Sequence, residues 1–279
     1  MNVKLTTIHT GNFKLDGGAM FGVVPKVLWN KMNPSDENNL CNWAMRCLLV
    51  EVGSRKILID TGIGDKQSDK FFSHYYLNGD QSLDRSLFQA GLSKDEITDV
   101  ILTHLHFDHV GGAVNKELTP AFKNALYHVT EIQWNHALNP NPREKASFLK
   151  ENFEPLQNAG VLRFVKPGDK IADIIEILTC NGHTLEMITP LIHLPSGEKV
   201  LYGADLYPSH SHIKSNFVMA YDIQPLVTMI EKEAMNQRAT QENWWIYYEH
   251  DLAHEMSKIA LNEKNQFEAV NFASIEMLN

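Results

Sequence analysis

Residues 103–112 read Thr-His-Leu-His-Phe-Asp-His-Val-Gly-Gly and follow a short apolar run, 99–102, that is predicted to be a strand. Three imidazoles and one carboxylate therefore fall within six residues, at His104, His106, Asp108 and His109. Imidazole nitrogen and carboxylate oxygen are the ligands that Zn²⁺, Fe and Mn bind in proteins. Such groups are costly beside apolar residues unless something binds them, so the stretch predicts a metal site.

The spacing within this stretch indicates how its side chains meet a metal. His104 and His106 are two residues apart and face the same way in an extended segment. Asp108 and His109 can turn towards a neighbouring ion once the chain bends into a helix. For any one of these histidines an ordinary surface position is an equal alternative, but the cluster as a whole favours metal binding.

The composition excludes several classes of protein. The 279 residues are 43% hydrophobic, enough for a sizeable core, and no linker, repeat or low-complexity tract marks a boundary. A single domain spanning residues 1–279 is therefore predicted. The 25 Lys and Arg against 34 Asp and Glu give a net charge of −9, the wrong sign for neutralising a phosphate backbone, so nucleic acid is not expected as a partner.

Targeting signals and cysteines indicate the compartment. No basic-then-apolar leader opens the chain, and no window approaches the roughly 18 consecutive apolar residues of a membrane span. A cytoplasmic protein without a membrane partner is therefore expected. The cysteines, Cys41, Cys47 and Cys180, are odd in number and form no Cys-x-x-Cys pair, which argues against disulfides and against a thiolate zinc site.

Strand-like and helix-like runs come in two groups along the chain. Runs rich in β-branched and aromatic residues predict strands at 3–8, 43–52, 56–59, 99–102, 125–129, 161–165, 174–179, 187–194, 200–202 and 244–248. Helices are predicted at 82–90, 130–137, 143–158 and 225–236. A capping box at 93–96 predicts one further short helix that begins there. Each group of strands has helices after it, which favours two packed sheets with helices outside but does not distinguish this architecture from other mixed α/β layers.

The motif His-x-His-x-Asp-His at 104–109 resembles the signature of the metallo-β-lactamase superfamily of metallohydrolases. Four further segments fit that family in order and spacing: Asp60-Thr61-Gly62, Asn181-Gly182-His183-Thr184, Gly203-Ala204-Asp205 and Glu249-His250-Asp251. The stretch 16–29 further resembles the branch containing quorum-quenching lactonases and methyl parathion hydrolase-like enzymes. The resemblance covers residues 3–255 and implies an α+β fold, the four-layer αβ/βα sandwich, with metals at one end between two mixed sheets.

The resemblance also implies a complete ligand set for two divalent ions. His104, His106 and His183 would hold the first ion. Asp108, His109 and His250 would hold the second, and Asp205 would bridge the pair. Zinc is the first expectation, with Mn, Fe or Co as alternatives. A water or hydroxide between the ions would be the nucleophile, so that no serine or cysteine nucleophile is needed.

The chain departs from the resembled pattern at one loop and near one tyrosine. The ligand loop commonly carries a second histidine, but Met187 stands there, which is expected to place Glu186 and Met187 beside the site. Lactonases of this branch often have a tyrosine just after the bridging aspartate. Tyr207, close to Asp205, is therefore a candidate acid or oxyanion donor, with a rim aromatic as the alternative. The expected catalytic residues are Asp108, Asp205 and Tyr207.

Other residues are candidates for the substrate cleft. His210 and His212 follow Asp205 and either contact the substrate or occupy an exposed loop. Several aromatics could form an apolar mouth that prefers acyl, aryl or lactone substrates, with core packing as the simpler alternative: Phe21, Trp29, Phe71, Phe72, Tyr75, Tyr76 and Phe107. Asp60 is expected to orient a metal-binding histidine through its ring N–H.

These observations predict that the protein is a metal-dependent hydrolase of a small-molecule lactone, carboxylic ester or phosphotriester. The alternatives are a mononuclear-iron sulfur oxygenase and a thioesterase of the same fold, although no basic cluster near the carboxyl terminus would hold a glutathione conjugate. A non-catalytic member would have lost a ligand, and none is lost. The segment 13–33 could serve as a lid or as the arm of a homodimer.

Overall fold

The computed structural model describes residues 2–279 and confirms the predicted pair of mixed sheets with helices against them. The first residue of the predicted 1–279 domain lies outside this range. The strands are β1 (Val3–Asp16), β2 (Leu40–Val52), β3 (Arg55–Ile59), β4 (Asp99–Ile101), β5 (Leu126–Thr130), β6 (Leu162–Val165), β7 (Lys170–Ile171), β8 (Ile175–Cys180), β9 (Met187–His193), β10 (Lys199–Tyr202), β11 (Trp245–Tyr247), β12 (Met256–Leu261) and β13 (Phe267–Ala273). The helices are α1 (Gly17–Phe21), α2 (Lys26–Trp29), α3 (Asp69–Phe72), α4 (Leu83–Gln89), α5 (Phe107–Val110), α6 (Glu131–Leu138), α7 (Glu154–Asn158) and α8 (Pro225–Gln241).

The first sheet has six strands in the order β1-β2-β3-β4-β5-β6. The first three strands are antiparallel, and β3 to β6 run parallel. In the parallel part the carboxyl ends of the strands meet at one edge, which is where polar groups from successive loops can converge. The stretch 103–112 leaves β4 at this edge.

The second sheet has seven strands in the order β13-β12-β11-β10-β9-β8-β7. Only β10 and β11 are parallel neighbours; the remaining pairs are antiparallel. The loops after β8, β10 and β11 carry the other candidate ligands, His183, Asp205 and His250. The strands β12 and β13, which the sequence analysis did not predict, extend this sheet beyond β11.

Apolar side chains fill the space between the sheets and the outer face of the first sheet. Leu48, Val50 and Ile59 of the first sheet pack in one buried cluster with residues such as Ile177 and Leu201 of the second. On the outer face, Leu87 of α4, Trp134 of α6 and Leu156 of α7 pack against the first sheet. Their burial explains why each helix lies flat on the sheet.

The helix predicted at 143–158 is wrong for its first half. Residues 143–149 form turns and no helix, although the Asn141 side chain accepts hydrogen bonds from the backbone N–H groups of Arg143 (2.9 Å) and Glu144 (3.1 Å) as an N-cap does. The Ser147 carbonyl then accepts a hydrogen bond from Phe107 N at 2.9 Å. The segment is therefore attached to α5. Among residues 2–279, no helix has the length and apolarity needed to cross a bilayer.

Candidate metal centre

All seven candidate ligands follow strands at one end of the two sheets, and all seven are buried. The loop after β4 carries His104 and His106, and α5 carries Asp108 and His109. His183, Asp205 and His250 come from the loops after β8, β10 and β11. The structure thus brings together side chains that are up to 146 residues apart in sequence.

The first group contains His104, His106, His183 and Asp205, whose ligand atoms lie within 4.8 Å of one another. His183 Nε2 is 3.1 Å from His106 Nδ1 and 3.1 Å from Asp205 Oδ2. His104 Nε2 is 3.9 Å from the same Asp205 oxygen. Three imidazoles and a carboxylate at this spacing make a suitable site for one divalent ion.

The second group contains Asp108, His109 and His250, again within 4.8 Å. His250 Nε2 lies 3.4 Å from His109 Nε2, and each of these nitrogens is 3.8 Å from Asp108 Oδ2. Asp205 adjoins this group too, since its Oδ1 is 3.2 Å from His250 Nε2. Asp205 therefore adjoins both groups, with Oδ1 near His250 and with Oδ2 near His183 and 3.6 Å from His109 Nε2.

Several atoms of the cluster are buried and have no hydrogen-bond partner. These atoms are His104 Nε2, His106 Nε2 and Asp205 Oδ1. A buried polar atom without a partner costs about 1–3 kcal/mol. Coordination of cations would satisfy all three, so the residues present fit the implied pair of divalent ions.

Burial and mutual charge set the protonation of the cluster. Burial, followed by the neighbouring histidines, lowers the pKa of His104 well below its usual range, and burial lowers the pKa of His106. Both rings are therefore neutral at pH 7 and have a free nitrogen lone pair. Burial also lowers the pKa of His183, but the Asp205 and Asp222 carboxylates outweigh burial and raise the pKa to about 10.

Contacts behind the ligands orient their rings. His183 Nδ1 donates to Asp222 Oδ1 at 2.9 Å, and His250 Nδ1 donates to the Ala44 carbonyl at 2.8 Å. Each contact fixes the tautomer that turns Nε2 towards the cluster. The backbone N–H groups of Asn181 and Gly182 donate to the Glu231 carboxylate of α8 at 2.6 and 2.9 Å, which holds the loop that carries His183.

Asp60 orients His109, as the sequence analysis expected. His109 Nδ1 donates to Asp60 Oδ2 at 3.1 Å, and Asp60 in turn accepts from the backbone N–H and the hydroxyl of Thr103 at 2.8 and 2.7 Å. Glu249 Oε2 lies at the same 3.1 Å from His109 Nδ1, and the Glu249 carboxyl is fully buried. Burial raises the pKa of Glu249 to about 7 despite the neighbouring His109.

A cavity of ≈ 380 Å³ opens onto the cluster. Its floor contains ligand side chains, among them His106, Asp108 and His250. Its walls are largely apolar and come from several segments: Leu15, Met20, Tyr75, Phe107, Ala146, Met219, Ala220 and Tyr221. Arg143 and Glu144 add charge at one side. The cavity therefore suits a small molecule with an apolar part and one polar group near the metals.

The structure does not place Tyr207 in this cavity, so its assignment as acid or oxyanion donor is corrected. Tyr207 is fully buried, and its hydroxyl donates to Asn236 Oδ1 of α8 at 2.7 Å. The chain turns after Asp205 in a short 3₁₀ segment, Ala204–Leu206, which directs Tyr207 towards α8. The rim alternative is wrong as well, because no part of Tyr207 reaches solvent.

His210 and His212 also lie outside the cavity. The His210 ring pairs with Asp251, which turns it away from the cluster. His212 is fully buried and has partners on both ring nitrogens, Ser209 Oγ at 2.8 Å and the Met20 carbonyl at 2.9 Å. The structure gives these two histidines structural contacts in place of the expected substrate contacts.

The expected apolar mouth is formed by only part of the predicted aromatic set. Tyr75 and Phe107 line the cavity, whereas Phe21 and Trp29 are buried and stack on each other at a centroid distance of 5.3 Å. Phe71 packs behind Tyr75 and Phe107. The expectation for Glu186 and Met187 is wrong, because neither lines the cavity; Met187 begins β9 and is buried between the sheets.

Sequence reasoning missed several residues that shape the site. Asp222 follows His183 by 39 residues, and no local pattern links the two. Arg143, Glu144 and Tyr221 were missed because segments 143–147 and 219–222 have no motif of their own. Only Glu249 had a usable signal, since it directly precedes His250 in the quoted motif.

The sequence of this chain is similar to those of known proteins. The family model of the metallo-beta-lactamase superfamily matches residues 46–203. The N-acyl homoserine lactonase AiiA of Bacillus thuringiensis subsp. kurstaki is 24% identical over 232 residues, covering 78% of this chain and 85% of its own length.

Two solved structures match almost the whole chain. A probable metal-dependent hydrolase from Staphylococcus aureus has a TM-score of 0.88 at 28% identity and covers 98% of both chains. AidC, a dizinc quorum-quenching lactonase in complex with a product, has a TM-score of 0.81 at 18% identity and covers 98% of this chain and 95% of its own. The second likeness is one of fold alone.

Proposed function

Because the chain belongs to the metallo-β-lactamase superfamily, we propose that this metal-dependent hydrolase opens lactones with two divalent ions held by its seven buried ligands. The observation that carries the proposal is the position of Asp205, whose two oxygens approach His183 on one side and His250 on the other. One carboxylate shared by two adjoining ligand groups is the arrangement that a dinuclear site requires. Zinc is the first candidate metal, with Mn, Fe and Co as alternatives.

The ions would supply an activated water and would polarise the scissile carbonyl. The residues of the chain do the remaining work. Asp108 lines the cavity, and its carboxylate can accept the proton that the attacking water loses. Asp222, Asp60 and the Ala44 carbonyl keep three ligand rings in the required tautomers.

The cavity favours a substrate with an acyl chain. Leu15, Met20, Phe107 and Met219 give it apolar walls, and its volume fits a molecule of modest size. The lactonase relatives act on N-acyl homoserine lactones, by name, and we propose the same class as the first to test. A phosphotriester is a further candidate substrate to test in the same assay. Neither the sulfur oxygenase nor the thioesterase alternative has support among the relatives.

The experiment combines metal content with hydrolysis. Protein purified without chelator is assayed by elemental analysis and then on N-acyl homoserine lactones of several chain lengths, simple lactones, an aryl ester and a phosphotriester. We expect about two equivalents of metal and ring opening of lactones. Fully metal-loaded protein that opens no lactone would overturn the proposed substrate class, and one equivalent of iron without hydrolysis would overturn the hydrolase itself.

A further inference from the structure

The cavity is lined by two tyrosines whose hydroxyls have no hydrogen-bond partner within residues 2–279. They belong to Tyr75, which follows α3, and to Tyr221, which lies between Asp205 and α8. Five of the other tyrosine hydroxyls are engaged inside the protein: those of Tyr127, Tyr202, Tyr207, Tyr247 and Tyr248. The two cavity tyrosines thus present unused donors where a substrate must enter.

After burial, the Asp108 carboxylate is the next cause that raises the pKa of both phenols. Burial raises the pKa of Tyr75 to about 12, and the Asp108 carboxylate adds to the effect. Burial also raises the pKa of Tyr221, with further contributions from Asp108 and from Tyr75. Both phenols therefore keep their protons at neutral pH and can donate hydrogen bonds beside the candidate second ion.

The structure holds the Tyr75 ring in place. It packs on Phe107 at a centroid distance of 4.7 Å and on Phe71 at 5.0 Å. The Tyr75 carbonyl accepts a hydrogen bond from Lys14 N at 2.7 Å, which ties this segment to β1. A donor that is already fixed in this way loses little conformational entropy when a ligand binds.

The backbone around Tyr221 is fixed by its neighbours. Ala220 N donates to the Ala19 carbonyl at 2.8 Å, and the Ala220 carbonyl accepts from the Arg143 guanidinium. On the other side, Asp222 contacts His183. Tyr221 is therefore held between the α1 segment, the 143–147 segment and a candidate metal ligand.

We propose that Tyr75 and Tyr221 are catalytic residues that donate hydrogen bonds to the oxygen leaving the scissile carbonyl. The inference rests on the proposed lactone hydrolysis and deepens it. In that reaction the water oxygen bonds to the carbonyl carbon, the ring C–O bond breaks, and the departing oxygen receives the proton that the water has lost. The two phenols stabilise the negative charge on this oxygen and keep their own protons.

The substrate carbonyl oxygen and the Arg143 guanidinium can each find a partner other than the phenols. A substrate carbonyl oxygen at the floor would be polarised by the ions that the ligand residues would hold. The Arg143 guanidinium, which also lines the cavity, donates to the carbonyls of Ala220 and Asp222. The two phenols are thus free to donate to the departing oxygen.

The test compares Tyr75→Phe and Tyr221→Phe with Tyr248→Phe, which removes a buried hydroxyl bonded to Ser257 away from the cavity. Substrates are an aliphatic lactone and a series of aryl esters with increasingly acidic leaving groups. Each cavity variant should lower kcat/KM on the lactone about 10- to 100-fold, mainly through kcat, and much less on the ester with the most acidic leaving group. Tyr248→Phe should leave kcat/KM within about twofold on every substrate.

A second readout is independent of turnover. The ring-opened hydroxy acid should bind Tyr221→Phe more weakly than wild type by calorimetry, while the metal content of the two proteins is equal. Rates within about twofold of wild type, or an equal loss on every leaving group, would overturn the inference. Failure of the wild-type protein to open any lactone would instead refute the proposed function.

Discussion

Asp205 is the residue on which the dinuclear proposal depends most directly. Its Oδ2 lies 3.1 Å from His183 Nε2 and its Oδ1 lies 3.2 Å from His250 Nε2, so one side chain adjoins both ligand groups. Burial tends to raise the pKa of Asp205, but the His183 and His109 charges outweigh it and hold the pKa well below its usual range. The side chain is therefore an anion that attracts cations into the space between the groups.

Replacing the Asp205 carboxylate by an amide keeps the shape of the side chain and removes its negative charge. We expect Asp205→Asn to remain folded but to lose more than about 100-fold in turnover, because even partners behind metal ligands typically cost 10- to 100-fold. Steady-state rates and elemental analysis measure the effect. The matched control is Asp173→Asn, an exposed carboxylate on the far part of the second sheet. Wild-type turnover in Asp205→Asn would refute the bridging assignment.

The buried hydroxyl of Tyr207 is expected to contribute to the stability of the fold. Its hydroxyl donates to Asn236 Oδ1 in the core, so Tyr207→Phe leaves a buried oxygen without its donor. We expect the free energy of unfolding to fall by about 1–2 kcal/mol and kcat/KM to stay within about twofold of wild type. Urea denaturation and lactone hydrolysis check the two parts. A large loss of kcat with unchanged stability would return Tyr207 to the catalytic role.

An ionic contact centred on Asp99 joins β3, β4 and β5 of the first sheet. Asp99 of β4 accepts from Arg55 Nε of β3 at 3.0 Å and from His128 Nε2 of β5 at 2.8 Å. Burial would raise the pKa of Asp99, but the hydrogen bonds from His128, Arg55 and Thr98 outweigh burial and hold it well below the usual 3.8. The ionised form is therefore the one that the fold stabilises.

The pH dependence of stability follows from that shift. The contribution of Asp99 is fully present above pH 3.8 and is lost as the pH falls towards the lower pKa of the folded state. We expect Asp99→Asn to destabilise the protein by about 2 kcal/mol at pH 7, since the half-exposed Arg55 is partly screened, and to flatten the fall in stability below pH 4. Chemical denaturation between about pH 2 and pH 7 measures both effects.

Asp95→Asn is the control for this experiment, because Asp95 pairs with Lys123 at the exposed surface. It should change stability by less than about 0.5 kcal/mol. If Asp99→Asn and Asp95→Asn have the same small effect, the contact across β3, β4 and β5 does not stabilise the sheet.

At the scale of the whole molecule, the candidate ligands belong to both halves of the fold. His104, His106, Asp108 and His109 follow a strand of the first sheet, and His183, Asp205 and His250 follow strands of the second. Bound ions would therefore link the two sheets at one end. Any ligand that binds only the folded state adds to its stability.

Metal removal should therefore lower the thermal stability of the protein. With ions at about 1,000 times their dissociation constant, the added stability is about 4 kcal/mol, which corresponds to a change in Tm of roughly 10 °C. Calorimetry before and after chelation, and again after zinc is restored, measures the change. An unchanged Tm after elemental analysis has shown that the metal is gone would contradict the link between the sheets.

The local sequence predicted the chemical type of the site, whereas the two-sheet architecture was favoured by the strand and helix pattern and followed from the family resemblance. Apolar strands such as 99–102 and 200–202 are encoded in local composition, and the residues of 103–109 are close enough to be recognised as one cluster. The motif order then identified His183, Asp205 and His250 as partners. The helix predicted at 143–149 is wrong, because this segment forms turns that are attached to Phe107 through the Ser147 carbonyl, a contact that local periodicity does not reveal.

Tertiary structure decided which residues surround that cluster. Tyr207 lies two residues from Asp205 and yet points into the core, whereas Tyr221 lies sixteen residues away and lines the cavity. Asp222 reaches His183 only because the segment before α8 folds back over the ligand loop. Composition and periodicity report the short-range preferences of a chain, but the direction of a side chain depends on packing against segments that are distant in sequence.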